Sequence, residues 1–220
     1  MSIPSTIAID GPVASGKSTV GACLARRLGY RYVDTGTMYR ALALVAVRLG
    51  IDLEDEGELE RLARETSIDV TADSKVLVNG RDVSAGLTRR EVEAAVSLVA
   101  RAAGVRQVLV AQQRQMAQGG SVVMVGRDIG TTVMPDAELK VYLGASPQER
   151  ARRRYSEVVK RGEAAHLPDI LADLERRDRI DSERLISPLQ PAADAVVIDT
   201  DGLTIEQVIA QIMGIMGEGP

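Results

Sequence analysis

A glycine-rich segment that ends in a lysine and a serine is the clearest chemical signal in the sequence. Residues 11–18 read Gly-Pro-Val-Ala-Ser-Gly-Lys-Ser. Glycines let the backbone curl until several N–H groups face one anion, and a helix that begins there adds the positive end of its dipole. Lys17 would bring a cation to the β and γ phosphates of a nucleoside triphosphate, and the Ser18 hydroxyl is a ligand for Mg²⁺. The spacing therefore predicts a P-loop.

The residues on either side of this loop have the patterns that it requires. Thr6–Asp10 is a short apolar run, which is typical of a buried strand. After the loop, Val20, Leu24 and Leu28 recur at helical spacing. The alternative is a flexible glycine turn without a ligand. We favour the P-loop because the strand and the helix stand where the motif needs them. The predicted nucleotide-binding residues are Gly11, Pro12, Val13, Ala14, Ser15, Gly16, Lys17, Ser18 and Thr19.

A second polar cluster follows the next predicted strand, at residues 31–33. It begins Asp34-Thr35-Gly36 and continues to Tyr39 and Arg40. In open α/β sheets, ligands bind at the carboxyl ends of the strands. Arg40 could therefore bind a second phosphate with its two-pronged guanidinium group. The alternative is a capped helix start with Arg40 in solvent.

A third cluster, Gly126-Arg127-Asp128, follows an apolar strand at residues 121–125. A strand that ends in an aspartate resembles the Walker B element, in which the carboxylate helps to hold Mg²⁺. Arg127 is instead suited to the phosphate of an acceptor. A surface turn with an Arg–Asp pair is the alternative for both residues.

Positive charge is concentrated between residues 150 and 184. Arg150, Arg153, Arg154 and Arg161 fall near one face of a predicted helix, and Arg177, Asp181 and Arg184 share one face of the next. We interpret this aligned set as a lid that closes over phosphates during transfer. A solvated helix pair with salt bridges is the alternative, and we prefer it for Arg152, Arg176 and Arg179.

The composition excludes several classes of protein. The 220 residues carry a formal net charge of -4 and contain one cysteine, one histidine, no Phe and no Trp. These counts exclude a disulfide framework, a Ser-His-Asp triad and an aromatic platform for single-stranded nucleic acid. We also find no Asn-Lys-x-Asp motif for guanine, no signal peptide and no apolar run of membrane-spanning length. We therefore expect a cytoplasmic protein that binds neither nucleic acid nor membranes.

The remaining patterns predict the fold. Further strands are expected at 139–143 and 195–199, and helices at 38–49, 56–65, 91–118, 147–160, about 168–184 and from 204 onward, with a break in the long helix at Gly104. Alternating strands and helices predict an α/β fold with a parallel five-stranded sheet covered on both faces. Asn79-Gly80 between short apolar runs predicts an inserted antiparallel sheet. Ser146 and Glu149 are predicted to form a capping box, and so are Thr204 and Gln207.

In combination, these motifs resemble those of the bacterial cytidylate kinases. The resemblance rests on residues 11–18, Asp34-Thr35-Gly36 with Tyr39-Arg40, Gly126-Arg127-Asp128, Arg177-Asp178 with Asp181 and Arg184, and Ser187-Pro188-Leu189. It follows the order of nearly the whole chain. It implies a P-loop kinase fold with an insert at about 36–104 that binds the nucleoside monophosphate, and a helical lid at about 150–184. It also implies transfer of the ATP γ-phosphoryl group to CMP or dCMP, with Mg²⁺, by a monomer.

The resemblance also implies roles for individual residues. The implied catalytic residues are Lys17, Arg127, Asp128, Arg153 and Arg154, and Ser18 would bind the metal ion. The implied CMP-binding residues are Thr35, Tyr39, Arg40, Ser97, Arg106, Arg127, Asp128, Asp181 and Arg184. Two alternatives stay open: a related kinase for UMP, AMP or a non-nucleotide acceptor, and a binding module that uses ATP only as a switch.

Overall fold

The computed structural model describes residues 3–71, 73–184 and 186–217. The described residues form eight strands: β1 (Thr6–Asp10), β2 (Arg31–Asp34), β3 (Ile68–Val70), β4 (Val76–Val78), β5 (Arg81–Asp82), β6 (Val122–Gly126), β7 (Leu139–Gly144) and β8 (Val196–Asp199). The α-helices are α1 (Lys17–Leu28), α2 (Thr35–Leu49), α3 (Glu56–Glu65), α4 (Arg90–Val99), α5 (Ala103–Ala117), α6 (Pro147–Lys160), α7 (Leu167–Ser182) and α8 (Ile205–Ile215).

Five parallel strands form the large sheet in the order β2-β6-β1-β7-β8. The central strands are apolar on both faces because both faces are covered. Ile7 and Ile9 of β1 pack with α1 and α8, whereas Ala8 faces the opposite layer with Val110 of α5. This arrangement confirms the predicted α/β fold with a parallel sheet. It also brings the carboxyl ends of β1, β2 and β6 to one edge, where ligands bind in such folds.

The small sheet is antiparallel, in the order β3-β4-β5, as predicted. Asn79 and Gly80 form its hairpin turn with φ of 48° and 76°, the left-handed values that the Asn-Gly pair favours. The buried side chains of β3 and β4 pack against α2 and α3 in a second core. The sheet therefore belongs to a helical layer separate from the large sheet. The limits of the insert, about 36–104, and of the lid, about 150–184, remain predictions.

Some predicted boundaries were wrong by a few residues. Helix α2 begins at Thr35 rather than at residue 38, because the Asp34 side chain accepts a hydrogen bond from Gly36 N and caps the helix earlier. The break in the long helix lies before Gly104, which is already inside α5. A Cβ at Gly104 would collide with the side chain of Glu60, so this glycine permits close packing of α5 on α3.

The capping predictions had different outcomes. Thr204 and Gln207 form the complete capping box at the start of α8. At α6, Ser146 Oγ accepts from Glu149 N, but the Glu149 carboxylate is directed to Arg153. Of the helices in the described residues, none is long and apolar enough by itself to cross a membrane. Helices α4 and α5 meet the length and composition criteria only as a pair, with a bend of 98° between them.

Candidate active site

The phosphate loop, residues 11–18, connects β1 to α1 at the carboxyl edge of the sheet. Gly11 and Gly16 have φ of 152° and 91°, which residues with a side chain rarely adopt. A Cβ at Gly11 would also collide with the carbonyl oxygen of Leu143 on β7. Gly16 is the N-cap of α1 and provides no side-chain cap, so the first N–H groups of the helix remain available to an anion. The loop therefore has the geometry of an anion cradle.

Lys17 lies buried at the end of this loop. Its Nζ donates to the carbonyl oxygen of Pro12 at 2.9 Å. Burial lowers the pKa of Lys17 well below its usual value, and repulsion from Arg127 lowers the pKa further. An anionic ligand therefore stabilises the charged form of this buried ammonium group more than it would stabilise an exposed lysine.

A cavity of about 260 Å³ opens beside the phosphate loop. Helices α2, α4, α6 and α7 and the segment Gly126–Asp128 contribute to its walls. It brings together most of the side chains predicted from the sequence. These are Val13, Ala14, Gly16, Lys17, Ser18, Thr19, Thr35, Tyr39, Arg40, Ser97, Arg106, Arg127, Asp128, Arg154, Asp181 and Arg184. The predicted residues Gly11, Pro12, Ser15 and Arg153 are not part of this lining.

Asp34 is a cavity residue to which sequence reasoning assigned no role in binding. Its Oδ2 accepts a hydrogen bond of 2.7 Å from Ser18 Oγ, and its Oδ1 caps α2. The Tyr32 hydroxyl donates to the carbonyl oxygen of Ser18 at 3.0 Å. A hydroxyl and a carboxylate therefore lie together at the end of the phosphate loop. The position of Asp34 at the end of a strand was the sequence signal that pointed to this site.

Three arginines converge on the cavity. Arg40, Arg127 and Arg177 all line it, and the Nε atoms of Arg40 and Arg177 are buried with no hydrogen-bond partner in the part of the chain that the structure describes. Burial lowers the pKa of Arg177 to about 10, and the charges of Arg127 and Arg40 add to this effect. Such mutual repulsion favours an anion between the guanidinium groups. The sequence placed Arg177 in the lid but gave it no role in binding a substrate, and the structure puts it in the cavity wall.

Asp181 binds Arg127 of this group and one further arginine, Arg184. Arg127 Nε donates to its Oδ2 at 2.9 Å, and Arg184 bonds to its other oxygen. Burial alone would raise the pKa of Asp181, but Arg127 and Arg184 lower it below its usual value. Asp181 therefore remains ionised and fixes the directions of both guanidinium groups.

The far end of the cavity has both donors and acceptors. Arg106 forms a buried ion pair with Asp128, and its Cζ lies 5.7 Å from the centre of the Tyr39 ring. Thr35 Oγ1 donates to the carbonyl oxygen of Val125 at 3.0 Å. Ser97 completes this end from α4. In the structure, the Asp128 carboxylate is thus directed to Arg106, whereas the carboxylate beside Ser18 belongs to Asp34.

Asp10 fixes the backbone that follows Asp128 at the far end of the cavity. Its two carboxylate oxygens accept hydrogen bonds of 2.8 Å from the backbone N–H groups of Ile129 and Gly130. These bonds hold the π-helical turn Ile129–Val133 immediately after Asp128. Burial raises the pKa of Asp10 to about 6, although the two N–H groups oppose that shift.

The arginines of α6 divide into two groups. Arg154 lines the cavity and is bonded to Glu93 of α4 and to Glu157. Arg150 and Arg153 instead turn toward the phosphate loop from behind it. Arg161 lies outside the cavity lining and forms a salt bridge of 2.8 Å with Glu163. The four arginines that share a helical face in the sequence therefore do not share one site.

Solved structures of small-molecule kinases have a similar fold. A gluconokinase from Sinorhizobium meliloti superposes with a TM-score of 0.53 at 14% identity, covering 99% of this chain and 94% of that one. A shikimate kinase from Bacteroides thetaiotaomicron has a TM-score of 0.50 at 14% identity, covering 96% and 97%. At such identities the likeness concerns the fold alone.

Sequence comparison is more specific. A family model described as cytidylate kinase matches residues 7–218. The cytidylate kinase of Chloroflexus aggregans is 52% identical over 220 residues, covering 97% of this chain and 94% of its own. That of Geobacillus kaustophilus is 51% identical over 216 residues, and that of Pelotomaculum thermopropionicum is 49% identical over 217 residues. Each of these two alignments covers 97% of this chain and 96% of the relative. The chain therefore belongs to the cytidylate kinase family.

Proposed function

We propose that this protein transfers the γ-phosphoryl group of ATP to CMP or dCMP, giving ADP with CDP or dCDP. One observation carries the proposal: the phosphate loop and the arginines Arg40, Arg127 and Arg177 line the same cavity. One cavity thus contains two sites for anions, one at a helix N-terminus and one among guanidinium groups. A nucleotide switch needs the first site but has no use for the second.

ATP binds at the phosphate loop in this proposal. The loop amides and Lys17 hold its β and γ phosphates, and the hydrogen bond from Lys17 to Pro12 is exchanged for bonds to phosphate oxygens. This exchange favours the protonated form of Lys17, because a nearby negative charge raises the pKa of an amine.

Mg²⁺ fits the oxygen atoms beside the loop. Ser18 Oγ and the Asp34 carboxylate are hard ligands of the kind that Mg²⁺ takes together with phosphate oxygens. The described residues contain no group of three or more His, Cys, Asp or Glu side chains that could hold a metal ion without such help. When bound, the ion would neutralise negative charge that develops on the phosphate oxygens.

The acceptor phosphate binds between Arg40, Arg127 and Arg177. Its ionised oxygen attacks the γ-phosphorus while the bond from that phosphorus to the β–γ bridging oxygen breaks, so no general base is required. Because the transition state is loose, the contribution of the protein is alignment and stabilisation of charge. Arg154 lies on the lid side and would approach the transferred group on closure.

The ion pair at the far end suits the edge of cytosine. That edge carries an amino donor beside ring acceptors. The Asp128 carboxylate accepts hydrogen bonds and the Arg106 guanidinium donates them, and both lie in the cavity wall with Ser97. The Thr35 hydroxyl already donates to the carbonyl oxygen of Val125, so Thr35 Oγ1 can only accept a hydrogen bond from a ligand. Uracil, which has a carbonyl in place of the amino group, would be a poorer match.

Steady-state kinetics with ATP and each of CMP, dCMP, UMP and AMP tests the proposal. We expect the highest kcat/KM with CMP or dCMP and one ADP for each phosphorylated acceptor. Arg177→Ala should raise the KM for the acceptor, whereas Arg176→Ala, on the exposed face of the same helix, should not. A preference for another acceptor would refute the substrate assignment, and ATP turnover without an acceptor would favour a switch.

Two further expectations concern the setting of the protein. We propose that it acts as a monomer, because the residues assigned to both substrates come from one chain. We also propose a cytoplasmic location, where ATP and nucleoside monophosphates are present together.

A further inference from the structure

The first two turns of α6 hold the phosphate loop through two arginines that are not part of the cavity lining. Arg150 is buried, and its Nη1 donates to the carbonyl oxygen of Val13 at 3.2 Å. The same guanidinium group bonds to the carbonyl oxygen of Ala145 at 3.1 Å and to Asp178 of α7 at 2.6 Å. Arg150 therefore connects the loop to the end of β7 and to the second lid helix.

Arg153, one turn later in α6, binds the carbonyl oxygen of Ser15, two residues after Val13. Its Nη1 lies 3.4 Å from the carbonyl oxygen of Ser15 and 3.0 Å from Thr200 Oγ1, and its Nη2 donates to the carbonyl oxygen of Thr200 at 2.6 Å. Its Nε is paired with Glu149 at 3.1 Å. The guanidinium group thus has four partners outside the cavity and joins the loop to the end of β8.

These contacts act on the peptide groups that form the anion cradle. In a planar trans peptide the carbonyl oxygen of one residue and the N–H of the next point in opposite directions. Arg150 holds the Val13 carbonyl, so the N–H of Ala14 points away from Arg150. Arg153 holds the Ser15 carbonyl, so the N–H of Gly16 points away from Arg153. Ala14 and Gly16 both line the cavity, so N–H groups directed away from the two arginines are available to a phosphate there.

Ala14, between the two held carbonyls, has a φ of 60°. An alanine in this left-handed conformation is strained, and such a conformation persists only where its surroundings impose it. The contacts of Val13 and Ser15 with arginines on either side of Ala14 supply that restraint.

We propose that Arg150 and Arg153 are positioning residues that hold the phosphate loop in its nucleotide-binding conformation. This inference rests on the proposed function, because it assigns the loop to ATP. It also changes the expectation for Arg153, whose predicted place was among the lid residues that touch phosphate.

Binding of ADP and ATP, each with Mg²⁺, to Arg153→Met tests this role by calorimetry. The loop holds the β-phosphate that both nucleotides share, so both dissociation constants should rise by about tenfold, which is the order expected for a lost hydrogen bond with a charged donor. The dissociation constant for CMP should stay within about twofold. Arg153→Lys keeps one charged donor and should restore part of the loss. Arg152→Met, at the exposed neighbouring residue, is the matched control and should bind as the wild type does.

Amide NMR spectra of the free protein provide a second measurement. The resonances of Ala14 and Gly16 should move in Arg153→Met and in Arg150→Lys but not in Arg152→Met. Weaker binding of ATP with unchanged binding of ADP would overturn the proposal, because it would mean direct contact with the γ-phosphate. If Arg153→Met and Arg150→Lys both bound ADP with wild-type affinity, the positioning role would be overturned while the proposed function would stand. A wild-type chain that bound no nucleotide would refute the function and the inference together.

Discussion

Arg106 and Asp128 form an ion pair inside the cavity, with side chains only 3% and 6% exposed. Removing one member of a buried pair costs about 3–5 kcal/mol, because the other charge stays buried without a partner. An exposed pair contributes about 1 kcal/mol or less. The burial of an ion pair therefore decides how much stability is lost when one of its members is removed.

Asp128→Ala should lower the free energy of unfolding by about 3 kcal/mol or more and raise the KM for CMP, because it leaves Arg106 unpaired. Arg101→Ala removes a pair with Glu54 that is 41% and 64% exposed, so it should cost less than about 1 kcal/mol. Urea unfolding measures both values. Equal costs would show that the buried pair adds nothing beyond a surface contact.

Lys17→Met should lower kcat by about a hundredfold or more while the dissociation constant for CMP changes little, since Lys17 acts on the transferred phosphate. Burial lowers the pKa of the free Lys17 well below its usual value, so ATP binding at a pH where the free Lys17 is partly deprotonated should also take up a proton. Calorimetry in buffers of different ionisation enthalpy detects this uptake. Absence of the uptake in the wild type, or its persistence in Lys17→Met, would contradict the role of Lys17.

Asp34→Asn removes the negative charge beside Ser18 but keeps an oxygen that can cap α2. The Mg²⁺ concentration that gives half-maximal activity should rise by about tenfold, because a carboxylate binds this ion better than an amide does. The melting temperature should change little. A wild-type Mg²⁺ requirement would remove Asp34 from the metal site, and a large loss of melting temperature would make its role structural.

Asp10 should make folding stability depend on pH. Since its pKa is raised from 3.8 to about 6, the folded chain keeps a proton that the unfolded chain loses. This contribution is complete below pH 3.8 and disappears as the pH rises through 6, a change of about 3 kcal/mol. Between about pH 4 and pH 7, the unfolding free energy of the wild type should therefore fall relative to that of Asp10→Asn, whose amide does not titrate. Asp136→Asn, at an exposed residue, is the control, and an equal pH dependence in both variants would refute the shift.

The phosphate loop and most of the elements could be predicted from the sequence. A loop of eight residues between a strand and a helix is a local structure, and the types and spacing of residues 11–18 are enough to identify it. The same holds for the hairpin at Asn79 and Gly80, where positive φ is required at both positions. The break before Gly104 was misplaced because that glycine accommodates Glu60 of a distant helix, which local patterns do not indicate.

What only the tertiary structure decided is the partner of each charged side chain. Local spacing suggested that Asp128 holds a metal and that Arg153 reaches phosphate. In the fold, Asp128 is bonded to Arg106, and Arg153 is bonded to Thr200 and to the loop. The sequence identified the loop because its glycines, its lysine and its serine are neighbours in the chain, although the arginines that hold it come from α6. It did not determine the ion pairs, because each depends on the distance between elements that only the packing of the sheet and its helices brings together.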